Sequence, residues 1–211
     1  MQGRIMKTQE TNKDFPRKQT RLSRSFHLSA VSVALFAGLT AGNIAHAQNQ
    51  DHAWGIYGQV GAGFYGNANP HQNTIGVIGP LPWTSQFAGT KVTTYWDGYI
   101  SQWRAASVAG GDSSYTQLAF VPSARFRFDD GASRWFMDAG IGLSYLDGIY
   151  ATPRHSFSTR FNFTEFISLG RSFGDDNRHE VSLRVQHYSN AGIKKPNPGE
   201  NFVQLRYAVK F

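Results

Sequence analysis

The last ten residues alternate in polarity with a period of two: Val203, Leu205, Tyr207, Val209 and Phe211 fall on one face, and Gln204, Arg206 and Lys210 on the other. Successive side chains of a β-strand point to opposite faces, so this pattern predicts a strand with one apolar and one polar side. The alternation recurs around residue 60, where Trp54, Ile56, Val60, Ala62 and Phe64 share one parity and Tyr57, Gln59, Gly61, Gly63 and Tyr65 take the other. Turn signals mark six further strand segments between these two, near 74–83, 91–103, 115–128, 134–147, 156–173 and 179–190. Strong helical periodicity is missing, and 22 Gly with 16 Phe, 9 Tyr and 5 Trp suit a chain built of strands.

The connections alternate in length. Tight polar turns are expected at Asp129-Asp130-Gly131 and Gly174-Asp175-Asp176-Asn177, and longer segments near 66–73, 104–114, 148–155 and 191–199. Eight strands with short turns at one end and long loops at the other predict an all-β fold, an eight-stranded antiparallel transmembrane β-barrel of the outer membrane. A terminal Phe closing an alternating strand supports this, as do aromatics near strand ends (Tyr95, Trp96, Tyr99, Trp103, Trp135 and Phe136), which read as interfacial girdles. A soluble lipocalin-like barrel or a sandwich alternates in the same way and is the competing architecture.

A formal charge of +7 suggests a nucleic-acid partner until its distribution is considered. Residues 1–47 carry seven Lys and Arg against Glu10 and Asp14, which leaves 14 basic and 12 acidic residues downstream, a net of only +2. The basic stretch precedes an apolar run at 28–41 and then Ala45-His46-Ala47, the order of a secretory signal peptide cut before Gln48. The run is too short to span a bilayer as a helix. The expected organisation is a removed signal peptide at 1–47 and an outer-membrane barrel at 48–211. No nucleic-acid partner is expected. With no Cys, a disulfide scaffold, a thiolate metal site and a cysteine nucleophile are all excluded, and no metal-ligand spacing is present.

If both termini lie in the periplasm, the short turns do too, the four longer segments face the exterior, and the segment 179–190 runs outward. Its parity places Val181, Leu183 and Val185 against lipid, and continues with His187 and Ser189 on the same face. Two polar residues on that face belong near the outer rim of the bilayer, because at mid-depth without partners they would cost several kcal/mol. Residues i and i+2 of a strand lie roughly 6.6 Å apart on one face, so a His nitrogen can reach a Ser hydroxyl and take its proton as the Ser attacks a carbonyl. A carboxylate holding the imidazole completes such a constellation, and Glu200, at the start of the last strand, is the candidate. The spacing alone equally describes a polar pair decorating a barrel rim. Arg184, Gln186 and Arg206 are assigned to a hydrogen-bonded barrel interior.

The segment His187-Tyr188-Ser189-Asn190-Ala191-Gly192-Ile193-Lys194-Lys195-Pro196-Asn197-Pro198-Gly199-Glu200 resembles the signature of the outer-membrane lipid A 3-O-deacylases, the PagL family. Thr94-Tyr95-Trp96-Asp97-Gly98-Tyr99 and Phe136-Met137-Asp138-Ala139-Gly140-Ile141-Gly142 resemble its mid-barrel segments. The resemblance implies a serine esterase that hydrolyses the ester-linked 3-hydroxyacyl chain at the 3 position of lipid A in lipopolysaccharide. It implies Ser189 as nucleophile, His187 as general base and then acid, and Glu200 as orienting carboxylate, without metal or cofactor. Asn190 and the backbone N–H of Gly192 match positions associated with the oxyanion site, although turn chemistry explains them as well. Lys194 and Lys195 are placed to contact lipid A phosphates, or are solvated loop charges.

The sequence departs from the family at one place. The family's Glu is expected one residue further on, where this chain has Asn201, and Asn201 rather than Glu200 shares a face with Val203 and Leu205. Either a bulge turns Glu200 outward, or another group orients His187. The competing functions are a non-catalytic barrel acting as adhesin or structural protein, and another lipid-modifying barrel such as an acyltransferase. A homodimer is left open.

Overall fold

The computed structural model describes residues 50–64 and 69–211, so the signal peptide expected at 1–47 lies outside the described residues. Eight strands follow one another: β1 Gly55–Gly63, β2 His71–Phe87, β3 Thr90–Ala106, β4 Asp112–Arg127, β5 Trp135–Leu146, β6 Phe161–Phe173, β7 His179–Ser189 and β8 Glu200–Lys210. Each pairs antiparallel with the next, and β1 pairs with β8 from Gly55↔Lys210 to Gly63↔Phe202, so the sheet closes into a barrel. Closure leaves no unpaired strand edge, which is what a β-structure in lipid requires.

Alternation sorts the side chains as the sequence implies. On β7 the exposed Val181, Leu183 and Val185 alternate with the buried Glu180, Ser182, Arg184 and Gln186. On β8, Val203, Leu205 and Tyr207 face out, while Gln204, Arg206 and Lys210 face in. An apolar outside around a polar inside is the reverse of a soluble domain and fits a barrel whose outer solvent is lipid.

The interior is filled in layers. Near the short turns, Arg125 donates to Asp138 (Nε–Oδ1 2.9 Å) and Glu180 (Nη1–Oε1 2.5 Å), while Arg127 donates to Asp51 (Nη2–Oδ1 2.5 Å). At mid-height Asp97 accepts from Tyr57 Oη (2.6 Å), Arg206 (2.9 Å) and Arg184 (3.2 Å). Toward the long loops come amides and hydroxyls, with Gln186 Nε2 donating to Tyr99 and Thr164. A buried aromatic group of Trp103, Tyr150, Phe157, Tyr188 and Phe202 closes that end.

Four of the residues read as girdle aromatics belong to this interior. Tyr95, Tyr99, Trp103 and Phe136 are buried, and Arg125 lies 3.7 Å over the Phe136 ring, so their ring faces serve interior cations and one another. Trp135 does face outward, along with Trp54, Trp83, Phe87, Phe161 and Phe211.

Strand boundaries differ where local signals were ambiguous. β2 and β3 are longer than expected and meet in a two-residue turn at Ala88 and Gly89, both with positive φ, the geometry that matches strand twist in a hairpin. The β2 register shifts between Pro80 and Thr84, where Pro80 and Pro82 have no N–H to give the ladder. β6 begins at Phe161, because 147–160 folds over the barrel mouth and buries Tyr150 and Phe157.

Candidate active site

His187 and Ser189 lie on the outer face of β7 at the end carrying the long loops, both half-buried. They continue the column Val181, Leu183 and Val185, so their outward position follows from strand parity. On the β8 side His187 is in register with Asn201, and His187 Nδ1 lies 2.7 Å from Asn201 Oδ1. On the β6 side it is in register with Glu165, and Ser189 with Phe163. The ring packs against Gly199, where a Cβ would come within 2.6 Å of His187 Cε1, so the chain entering β8 must be glycine to leave the imidazole room.

Glu200, expected beside His187, is not on that face. β8 starts without an outward bulge, so Glu200 is 1 % exposed and its carboxylate turns inward, accepting from Tyr150 Oη (2.8 Å) and from the N–H of Asn201 (3.2 Å). Burial, with the neighbouring Glu200 carboxylate, pushes the Tyr150 hydroxyl well above its ordinary value, so it stays a proton donor to Glu200. The group beside the imidazole is the neutral amide of Asn201.

Asn190 ends the strand and organises the loop that follows. Its Nδ2 donates to Lys194 O (2.8 Å), Ser158 Oγ (2.9 Å) and Thr159 Oγ1 (3.2 Å), and its Oδ1 accepts from Gly192 N (3.0 Å). Its backbone N–H donates to Asn197 Oδ1 (2.9 Å). Ala191 and Gly192 both have positive φ, which reverses the chain directly after Ser189 and brings the Ala191 N–H to 3.4 Å from Ser189 Oγ. The Asn190 amide and the Gly192 N–H, expected at the oxyanion site, are thus engaged within the turn, and the N–H nearest the hydroxyl is that of Ala191. Through Ser158 and Thr159 the loop 147–160 braces this turn. The side chains of Lys194 and Lys195 are exposed on the same loop. Among the described residues, no group of three or more His, Asp or Glu is arranged to hold a metal ion.

Two members of this site escaped the sequence reading. Parity along β6 would have exposed Glu165, a carboxylate between Phe163 and Ile167 in an outward column whose other charged residue, Arg171, lies six positions further along the strand. Tyr150 carried no such signal, because it lies in a loop whose fold depends on the finished barrel.

Known proteins resemble this chain over the same region. The family model described as lipid A 3-O-deacylase (PagL) matches residues 71–210. Lipid A deacylase PagL of Pseudomonas aeruginosa is 29 % identical over 179 residues, covering 84 % of this chain and 95 % of that protein. Lipid A deacylase PagL of Bordetella bronchiseptica is 31 % identical over 157 residues, covering 70 % of this chain and 80 % of that protein. The crystal structure of the outer membrane enzyme PagL shares the fold, with a TM-score of 0.62 at 24 % identity over 74 % of this chain and 99 % of that one. A family match spanning β2 to β8, on a closed barrel with the motif on its outer wall, establishes that the chain belongs to the lipid A 3-O-deacylase (PagL) family.

Proposed function

We propose that the chain hydrolyses the ester-linked 3-hydroxyacyl chain at the 3 position of lipid A, with Ser189 as nucleophile and His187 as general base and then acid. The observation that carries this reading is the placement of His187, held 2.7 Å from Asn201 on the lipid-facing wall and two residues from Ser189. Asn201 Oδ1 accepts the Nδ1–H, which leaves Nε2 unprotonated as the base. Asn201 then takes the orienting role expected of Glu200, and the constellation is Ser-His-Asn. Glu200 instead ties the start of β8 to Tyr150.

As Ser189 Oγ bonds to the ester carbonyl carbon, its proton passes to His187 and the carbonyl oxygen takes up negative charge. The turn 190–192 supplies the donors for that charge, with the Ala191 N–H closest and the Asn190 and Gly192 bonds holding the turn rigid. His187 next protonates the leaving sugar oxygen, and a water activated by the same imidazole releases the hydroxy acid. The substrate is a membrane lipid, so a site on the outer wall near the outer leaflet lets the acyl chain stay in the bilayer. Lys194 and Lys195 on the adjoining loop meet the lipid A phosphates.

Purified protein incubated with lipopolysaccharide is expected to release 3-hydroxy fatty acid, and Ser189→Ala to release none while keeping heat-modifiable barrel mobility. Release undiminished by Ser189→Ala would refute the assignment. The signal peptide at 1–47 belongs to the same reading, because a barrel of this kind reaches the outer membrane only by export.

A further inference from the structure

At the level of His187 the outer wall carries one row in register: Ile141 on β5, Glu165 on β6, His187 on β7 and Asn201 on β8. Glu165 is exposed on the lipid-facing side, flanked in its own column by Phe161, Phe163, Ile167 and Leu169, with the cation Arg171 six residues away toward the other end of the strand. An isolated carboxylate on such a surface is costly, and one that persists there usually has a partner and a use. Its β5 neighbour is the apolar Ile141, so the polar groups within reach are His187, directly opposite, and Ser189, diagonal to it. Directly opposed residues bring their Cβ atoms to about 4.5–5.5 Å, within range of a carboxylate–imidazole contact.

We propose that Glu165 is a positioning residue for the reaction, supplying from β6 the negative charge that Asn201 cannot supply from β8; this rests on the deacylase reading above. When the proton of Ser189 Oγ moves to His187, the ring becomes an imidazolium. Asn201 Oδ1 holds its Nδ1–H but carries no charge. The Glu165 carboxylate offsets the new positive charge until His187 hands the proton to the leaving oxygen of the sugar. Of the other titratable groups around the ring, Ser189 is the proton donor, and Glu200 attracts His187 only from the interior side of the wall, where Tyr150 engages it.

The test compares wild type, Ser189→Ala, Glu165→Gln and the double variant Glu165→Gln/Asn201→Glu on lipopolysaccharide in detergent, each scored for heat-modifiable barrel mobility. Glu165→Gln is expected to lower kcat about tenfold with KM within about twofold. Adding Asn201→Glu should restore most of the lost turnover by returning a carboxylate to the ring. A Glu165→Gln enzyme with the wild-type kcat, or a loss that Asn201→Glu fails to restore, would overturn the proposal. Release by Ser189→Ala equal to wild type would overturn the deacylase reading itself, so the two failures are distinct.

Discussion

Inside the barrel, near the short turns, Arg125 and Arg127 sit among Asp51, Asp138 and Glu180 in a cluster where each carboxylate accepts at least two guanidinium bonds. On the outer wall at the other end, Glu165, His187 and Asn201 form a row joined by a single short hydrogen bond. Both clusters put polar groups where charge is expensive. In the first, every carboxylate is held by guanidinium bonds, which makes it a support for the barrel. The second keeps unspent hydrogen-bonding capacity beside a nucleophile, which is what proton transfer needs.

If the inner cluster is a support, Arg125→Ala should leave Asp138 and Glu180 buried without their main partner and destabilise the barrel by about 3–5 kcal/mol, read as a lower urea midpoint for loss of heat-modifiable mobility. An unchanged midpoint would remove the distinction drawn here. The outer row is tested by pairing Asn201→Ala with Glu200→Ala. The first should lower kcat on the order of a hundredfold while the barrel stays intact. The second should act on stability, by about 1.5–3 kcal/mol through the lost Tyr150 bond. If turnover falls instead with Glu200→Ala alone, the carboxylate at 200 serves His187 after all.

Acid should sharpen the contrast further. Burial disfavours the Asp51 charge, but Arg127 and Arg125 more than offset it and hold the carboxyl well below its usual range. A carboxyl lowered in this way stabilises the fold fully above its unfolded value, near 3.9, and that contribution is lost as pH falls toward the folded value. The urea midpoint should therefore drop below about pH 4, less steeply in Asp51→Asn. The smallest effect belongs to the exposed loop cations: Lys194→Ala with Lys195→Ala should raise KM about threefold at low salt and hardly at all at high salt.

Much of this arrangement was legible in the sequence because strand parity is a local rule. Alternation on 179–190 put His187 and Ser189 outside before any fold was known, and alternation on 202–211 placed Asn201, not Glu200, on the same face. The aromatics misled, because Trp103 and Phe136 have strand-end positions like girdle residues, and only the closed barrel shows that they pack inward. Parity along β6 turns Glu165 outward, but its place opposite His187 depends on the register between β6 and β7, a long-range pairing that no single segment encodes. The bracing of Asn190 by Ser158 and Thr159 likewise joins two loops about thirty residues apart.

The proposed esterase site on the outer wall takes lipid A as its substrate. Mass spectrometry of lipid A from Gram-negative cells expressing the protein addresses it most directly. Wild type should lower the lipid A mass by one 3-hydroxyacyl group, and His187→Ala, inserted at the same level, should leave the mass unchanged. A mass unchanged by wild type would mark a barrel without catalysis, and an increased mass an acyltransferase; either would contradict the account.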